Sequence, residues 1–317
     1  MSLLDKLGTN YGFVFPGQGS QTVGMGRSLE DASEAAKALL DQANETLGFD
    51  LRALMYDGPE DELADTRNSQ PAIYTVSAMG LAAMTERAEK EGGYLAPNMV
   101  AGHSLGEFTA LLAAGVFDFT TGLKLVRARG EFMAAAGEAR PGAMAAVLGM
   151  DDDTLARLVD EAAAGEVLTI ANLNCPGQTV ISGEVAPLER FMELAKDAGA
   201  RRIARLPISI ASHSTLMDPA AEQLNELFDD VTFSEPKMPV VSNSTGQELN
   251  TAAEIREELR HHVVKGVDWT TSVQTMMAGG ITTLIEIGNG NVLAGLNKRI
   301  DRSLSTLNLA DLGIGEK

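Results

Sequence analysis

The chain has 317 residues, a formal charge of -19, 44% hydrophobic and 22% charged residues, and one cysteine, Cys175. Its apolar content is that of an ordinary globular protein, which excludes a disordered or fibrous chain; the charge excludes general nucleic-acid binding, because the mean field repels phosphate. A lone cysteine excludes an internal disulfide or a multi-cysteine zinc site, the opening residues lack a basic stretch before an apolar core, and no apolar run approaches the ~18 residues of a membrane span. A cytoplasmic monomer with no metal, no membrane contact and no nucleic-acid partner is expected.

In chain order, YGFVF at 11 to 15 predicts a short buried strand that breaks at Pro16 and Gly17 into a Gly-rich turn. The stripe Ala72, Val76, Met79 and Ala83 predicts a helix after Pro71, NMVAG a second strand, and LGEFTALLAAG a helix stopped at Gly115. VRARGEFM, around Arg129, reads as a helix with Leu125, Val126 and Met133 on its apolar face. Residues 143 to 206 then follow the order β-α-β-β-α-β, which is the ferredoxin-like split arrangement. Beyond it come the strand-like LPISIA, a helix near 215 to 228, a strand PVVSN, helices near 251 to 260 and 268 to 278, a strand TTLIEIG and a last helix from Asn291. The expected fold class is α/β: a large α/β-hydrolase-like body with a central parallel sheet (residues 1–138 and 209–317) and a small inserted ferredoxin-like subdomain (139–208).

Gly102-His103-Ser104-Leu105-Gly106 spells G-x-S-x-G, the turn that lifts a serine nucleophile above the edge of a sheet. Alone the pattern is weak, and a helix-capping serine is the ordinary alternative; the strand before it and the helical run after it favour Ser104 as nucleophile. Such a serine needs a base, usually histidine. Of four histidines, His103 abuts the turn and points the other way, while His261 and His262 end a charged helix, which leaves His213. No orienting carboxylate stands out among 44 acidic residues. An oxyanion needs two donors, one normally being the N–H after the nucleophile, here Leu105, and the other coming from another loop; the turn Pro16–Ser20, which fits neither the Rossmann nor the P-loop pattern, could supply it. Arg129 could clamp a substrate carboxylate, or be an exposed helical arginine. Arg201, Arg202 and Arg205, and Lys298, Arg299 and Arg302, form candidate basic patches in an acidic chain.

Taken together, FVFPGQGSQ at 13 to 21, SQPA at 69 to 72, GHSLGE at 102 to 107, RG at 129 to 130, GAMAAVLG at 142 to 149, NCPGQTVISG at 174 to 183, SHSTLM at 212 to 217 and EIGNGNVLAGL at 286 to 296 resemble the malonyl-CoA:acyl carrier protein transacylases. These are related to the acyltransferase domains of polyketide and fatty acid synthases. The resemblance covers almost the whole chain. It implies Ser104 as the acylated nucleophile, His213 as general base, Arg129 as the partner of the malonyl carboxylate, and the amides of Gln18 and Leu105 as the oxyanion hole. Gln70, Asn172, Asn174 and His262 are then substrate-binding positions. It further implies ping-pong transfer from malonyl-CoA to acyl carrier protein with no cofactor, and no catalytic aspartate, a backbone carbonyl in the segment Arg260-His261-His262 orienting the histidine. Arg201, Arg202, Lys298 and Arg299 are expected to attract the acidic carrier.

Two positions depart from that family's pattern. His262 stands where many members have glutamine, and Gly288-Asn289-Gly290 replaces the usual GPG turn, with no loss of activity expected from the second. Ser212 leaves malonyl against methylmalonyl open, whereas Arg129 disfavours acetyl-CoA. A serine esterase or thioesterase using the same Ser104 and His213 is the alternative, and a non-catalytic acyl-binding protein a third.

Overall fold

The computed structural model describes residues 2–315. Strand β1 (Tyr11–Phe15) follows a short helix α1 (Leu3–Leu7), and four helices, α2 (Arg27–Ala32), α3 (Glu34–Leu47), α4 (Leu51–Asp57) and α5 (Glu60–Ala64), lead to the 25-residue α6 (Thr66–Lys90). Helix α6 starts at Thr66, capped by Asp65, whose Oδ1 accepts the Arg67 N–H at 2.8 Å, so it runs through Pro71 instead of beginning after it. Proline cannot donate to the carbonyl four residues back. That carbonyl, on Arg67, accepts from Arg127 Nη1 at 2.8 Å, which offsets the missing helical bond.

The chain continues through β2 (Met99–Gly102), α7 (Gly106–Ala113) and α8 (Phe119–Ala139) into β3 (Gly142–Leu148), α9 (Asp152–Ala163), β4 (Leu168–Cys175), β5 (Gln178–Glu184), α10 (Val185–Asp197) and β6 (Arg202–Arg205). Helix α11 (Asp218–Asp229), β7 (Val240–Val241), β8 (Glu248–Leu249), α12 (Ala252–His261), β9 (Val267–Asp268), α13 (Trp269–Ala278), β10 (Thr283–Glu286), α14 (Val292–Ile300) and β11 (Ser305–Asn308) complete it. The body sheet has the order β11-β10-β1-β2-β7-β8, parallel except for the edge strand β8. Buried on both faces, it shows period-two sorting: Phe13, Phe15 and Val100 join the core packed by α6 and α8, while Val14, Met99 and Ala101 join that of Trp269 and Val273 from α13.

The second sheet runs β6-β3-β5-β4-β9. Its first four strands are antiparallel in the ferredoxin-like order, and one face carries α9 and α10 through Leu155, Leu158, Leu188 and Phe191. The fifth strand, β9, comes from the body and pairs Asn172 with Val267 in parallel. Met144 and Val180 occupy the other face. The cleft opens there, between the two sheets. Among the described residues no helix is long and apolar enough to cross a membrane.

The segment 206–211, read from sequence as a strand, is not one. Leu206, Ile208 and Ile210 alternate as strand residues do, but Pro207 has no N–H to give a ladder, and only Leu206 N–H to the Met144 carbonyl and Gly142 N–H to the Ser209 carbonyl join it to β3.

Candidate active site

The turn from β2 to α7 is held by three close approaches that only glycine permits. A Cβ on Gly102 would sit 1.9 Å from the Gly106 carbonyl carbon, one on Gly106 2.1 Å from the Phe15 carbonyl oxygen, and one on Gly17 2.3 Å from the His103 carbonyl oxygen. The G-x-S-x-G turn is therefore pressed against β1 and against the Gly-rich loop that follows it. At its apex Ser104 takes φ +49, a left-handed conformation costly for any residue with a Cβ. Of the three described non-glycine residues with positive φ, two are Ser104 and His213, at φ +60; the third, Ala164, caps α9.

Two residues that sequence reading missed fix this turn. Asn243, beyond the end of β7, accepts the Ser104 N–H on Oδ1 at 2.6 Å and donates from Nδ2 to the Gly102 carbonyl at 2.6 Å. Glu107 Oε1 accepts the Asn243 backbone N–H at 3.2 Å, and the Glu107 carboxyl, buried, is raised well above its ordinary range by desolvation. The signal was positional: Ser-Asn-Ser follows a buried strand at the carboxyl edge of a parallel sheet, where sites gather.

His213 Nε2 lies 2.9 Å from Ser104 Oγ, and His213 Nδ1 lies 2.7 Å from the Lys265 carbonyl oxygen. A carbonyl only accepts, so Nδ1 carries the proton and Nε2 presents a lone pair to the serine hydroxyl. The orienting carbonyl is thus Lys265, not one within Arg260-His261-His262; the His262 carbonyl makes only a lesser contribution. The turn after α12 carries the chain to residue 265 before it meets the imidazole. Burial, and then the positive charge of Arg129, lower the His213 pKa to about 3, so the ring is neutral at pH 7.

Arg129 is not an exposed helical arginine: it is 1% exposed. Its Nη1 donates to Gln70 Oε1 at 2.7 Å and its Nη2 to Ser104 Oγ at 3.1 Å. Burial draws its pKa down to about 9 against the opposing field of Glu107, which leaves the guanidinium charged at neutral pH. The signal was available, since Arg129 lies four, three and four residues from Leu125, Val126 and Met133 and shares their face.

Other expected positions divide. Gln18, Ser104, His213, Asn172 and Asn174 line one cleft of about 330 Å³, whose floor includes Met144 and whose rim includes Val292 and Leu296 of α14. Asn174 Oδ1 accepts from His103 Nε2 at 2.8 Å. Leu105 is buried beside Ser104, and neither its N–H nor that of Gln18 donates to another group among the described residues. Gln70 and Arg129 are both buried and outside the cleft lining, Arg129 reaching the cleft residue Ser104 through Nη2 and Gln70 bonding Arg129. His262 likewise does not reach the cleft: its Nε2 lies 3.1 Å from the Ser104 carbonyl oxygen and 3.0 Å from Glu107 Oε2, beneath the turn, and burial pushes its pKa well below the usual value. Arg201, Arg202, Lys298 and Arg299 are exposed. Arg299 Nη1 donates to Gln178 Oε1 at 2.5 Å, at the lip of the cleft. Asn289 is not among the residues with positive φ; Gly290, at φ +86, is.

A serine hydroxyl within reach of both a neutral imidazole and a buried guanidinium has the arrangement that acyl transfer requires. The family model for the acyl transferase domain matches residues 12–306. The chain belongs to the acyl transferase family. This acyltransferase is 44% identical over 300 residues to the malonyl CoA-acyl carrier protein transacylase of Bacillus subtilis, covering 94% of this chain and 93% of that one. It superposes on the malonyl CoA-acyl carrier protein transacylase of Coxiella burnetii with a TM-score of 0.92 at 37% identity, over 98% of this chain and 96% of the other. A type II PKS acyl-carrier protein in complex with its malonyl-transacylase gives a TM-score of 0.90 at 39% identity, over 97% and 99% of the two chains.

Proposed function

We propose that this acyltransferase moves a malonyl group from coenzyme A to the phosphopantetheine thiol of an acyl carrier protein, in the cytoplasm, in support of fatty acid or polyketide synthesis. The observation that carries the reading is the buried Arg129, held by Gln70 with Nη2 3.1 Å from Ser104 Oγ. A fixed positive charge beside the nucleophile selects an acyl group that ends in a carboxylate.

Ser104 Oγ attacks the thioester carbonyl as His213 Nε2 takes its proton. The negative oxygen that develops is held by the amides of Gln18 and Leu105, at the start of α7, where the helix dipole adds to the same field. Collapse breaks the carbon–sulfur bond, and the proton on His213 passes to the leaving coenzyme A sulfur. The carrier thiol then returns along the same path: its proton goes to His213, its sulfur attacks the Ser104 ester, and the serine leaves as alkoxide to recover the proton. Asn172 and Asn174 contact the acyl or pantetheine portion in the cleft, and no resident cofactor enters either half-reaction.

The carrier approaches along the edge of the small sheet. Leu148 pairs with Arg202 on one side and Gln178 on the other, and Arg299 Nη2 donates to the Pro176 carbonyl at 3.2 Å. Arg201, Arg202, Lys298 and Arg299 supply a basic rim there, against an overall charge of -19 that would repel an acidic carrier.

Intact mass after brief mixing with malonyl-CoA, for the parent and Ser104→Ala, followed by a chase with phosphopantetheinylated carrier, tests the reading. A malonyl adduct absent from Ser104→Ala and discharged by carrier is the expected result. An adduct cleared as fast by water alone would instead identify a serine esterase or thioesterase.

A further inference from the structure

The loop after β1 carries the Gln18 amide and is soft by composition, with Gly19 at φ +100 and Gly24 at φ +95. Much of its bonding is internal: Ser20 Oγ donates to the Gly17 carbonyl at 2.8 Å, and Gly19 N–H to Gln21 Oε1 at 2.8 Å. Such bonds shape a loop without fixing where it sits. An amide that stabilises charge must already point at the developing oxyanion, so something outside the loop has to hold it.

Asn289 does so. Its side-chain Nδ2 donates one hydrogen to the Ser20 carbonyl at 2.6 Å and the other to Thr22 Oγ1 at 2.9 Å. Elsewhere among the described residues, Thr66 Oγ1 makes a 3.4 Å contact with Gln18 Oε1, and the far end of the loop is tied by Gly24 N–H to the Met55 carbonyl at 2.8 Å and Met25 N–H to the Thr22 carbonyl at 3.1 Å, which leaves Asn289 as the short grip nearest the Gln18 amide. The turn bearing Asn289 is itself pressed on the loop's first residue, for a Cβ on Gly288 would lie 2.6 Å from Pro16 Cγ. It follows β10, the neighbour of β1 in the parallel sheet, so the clamp ties the loop to the rigid frame.

We infer that Asn289 is a positioning residue for the oxyanion site, fixing the Gln18 amide by gripping both sides of the next turn of the loop. This rests on the acyl-transfer reading above, in which that amide receives the negative oxygen. Both hydrogens of Nδ2 are used, and a carboxylate of the same shape would offer neither.

The test compares the parent with Asn289→Ala, Asn289→Asp and Thr22→Val, the last removing one acceptor at an exposed position. Malonyl loading should slow by about tenfold to a hundredfold in kcat for both Asn289 variants, the scale of a misplaced catalytic group, and by less for Thr22→Val, with KM for malonyl-CoA within about twofold. Inactivation by a small alkyl phosphonofluoridate, in which serine displaces fluoride to form a tetrahedral phosphonate ester with its phosphoryl oxygen in the oxyanion site and no malonyl group, should slow by the same factor. Hydrogen exchange should quicken over residues 17–24 and not in the body sheet. A kcat within twofold of the parent, a loss confined to KM, or faster exchange across the whole chain in step with a fall in melting temperature would overturn the inference; should Asn289→Ala not fold, Thr22→Val with unchanged phosphonofluoridate reactivity would do so as well. If the parent formed no malonyl ester, the functional reading would fail, and the phosphonofluoridate and exchange results would still decide the role of Asn289.

Discussion

Arg129 Nη2 and Ser104 Oγ stand 3.1 Å apart, at the same oxygen that lies 2.9 Å from His213 Nε2. The cation therefore does two things before any substrate arrives: it favours negative charge on the serine oxygen, and it depresses the basicity of the imidazole. A substrate carboxylate that takes the guanidinium's charge relieves the second effect. Replacing Arg129 by alanine should lower kcat/KM for malonyl-CoA by about 10- to 100-fold, the worth of a hydrogen bond to a charged group. Acetyl-CoA, lacking the carboxylate, should lose far less, and equal losses for both substrates would remove Arg129 from acyl selection.

The acid limb of malonyl loading should lie well below the ordinary histidine value. With the folded His213 pKa lowered from 6.5 to about 3, the free enzyme keeps its base neutral down to acid pH, and kcat/KM should stay level from pH 8 to about pH 5. The sign for stability follows. Between those two values the unfolded chain holds a proton that the folded chain does not, so stability rises with pH across that window and is lost as pH falls towards 3. Glu107 acts oppositely, since its raised carboxyl keeps a proton that the unfolded chain releases above its ordinary 4.5. Rate profiles for the parent and chemical denaturation of His213→Gln against the parent would measure both; an inflection near pH 6.5 in the rate would contradict the burial of a neutral ring.

Asn243→Ala should be catalytically worse than its distance from the substrate suggests. It deletes an acceptor for the Ser104 N–H and a donor for the Gly102 carbonyl, both buried, at a cost of about 1–3 kcal/mol for each group left without a partner. Ester formation at Ser104 should slow by at least tenfold, on the scale expected for displaced reacting groups. Asn243→Asp keeps the acceptor but not the donor, and should fall between the two in denaturation and in rate.

Gly17→Ala places a Cβ 2.3 Å from the His103 carbonyl oxygen, and that oxygen belongs to backbone that cannot swing aside. The loop must retreat from the serine turn. Acylation by malonyl-CoA should collapse while the far-ultraviolet circular dichroism is retained; normal acylation would mean that the loop has no part in the oxyanion site.

Charge reversal at Arg202 and Arg299 should slow discharge to the carrier protein and leave loading from malonyl-CoA within about twofold, with the difference shrinking as salt is raised. Equal loss in both half-reactions would refute docking along that edge.

Much of this was legible in the sequence because it depended on local pattern. The strand, turn and helix around Ser104, the βαββαβ order read over residues 143–206 and the candidacy of His213 all follow from periodicity, glycine placement and elimination among four histidines. What stayed hidden depended on chain segments distant from one another. Asn243 holds a turn 139 residues before it, Lys265 orients a histidine 52 residues away, and β9 leaves the body to complete the small sheet. Proline misled twice: Pro71 marked a helix start where Arg127 supports a helix interior, and Pro207 left an alternating segment without a ladder. Residues 27–64 form four helices that carry none of the site's chemistry, and β11 is a short strand at the sheet's edge.

The left-handed backbone at Ser104 sets reactivity against durability. A side chain at φ +49 costs about 1–2 kcal/mol relative to the right-handed form, a cost that glycine escapes while giving up ~0.5–1 kcal/mol of chain entropy. Ser104→Gly should therefore outlast Ser104→Ala in thermal unfolding by about 1 kcal/mol, although both are equally dead as acyltransferases. On stability alone glycine suits this position better than serine, so the strained backbone at Ser104 is a cost that the proposed ester chemistry would have to justify.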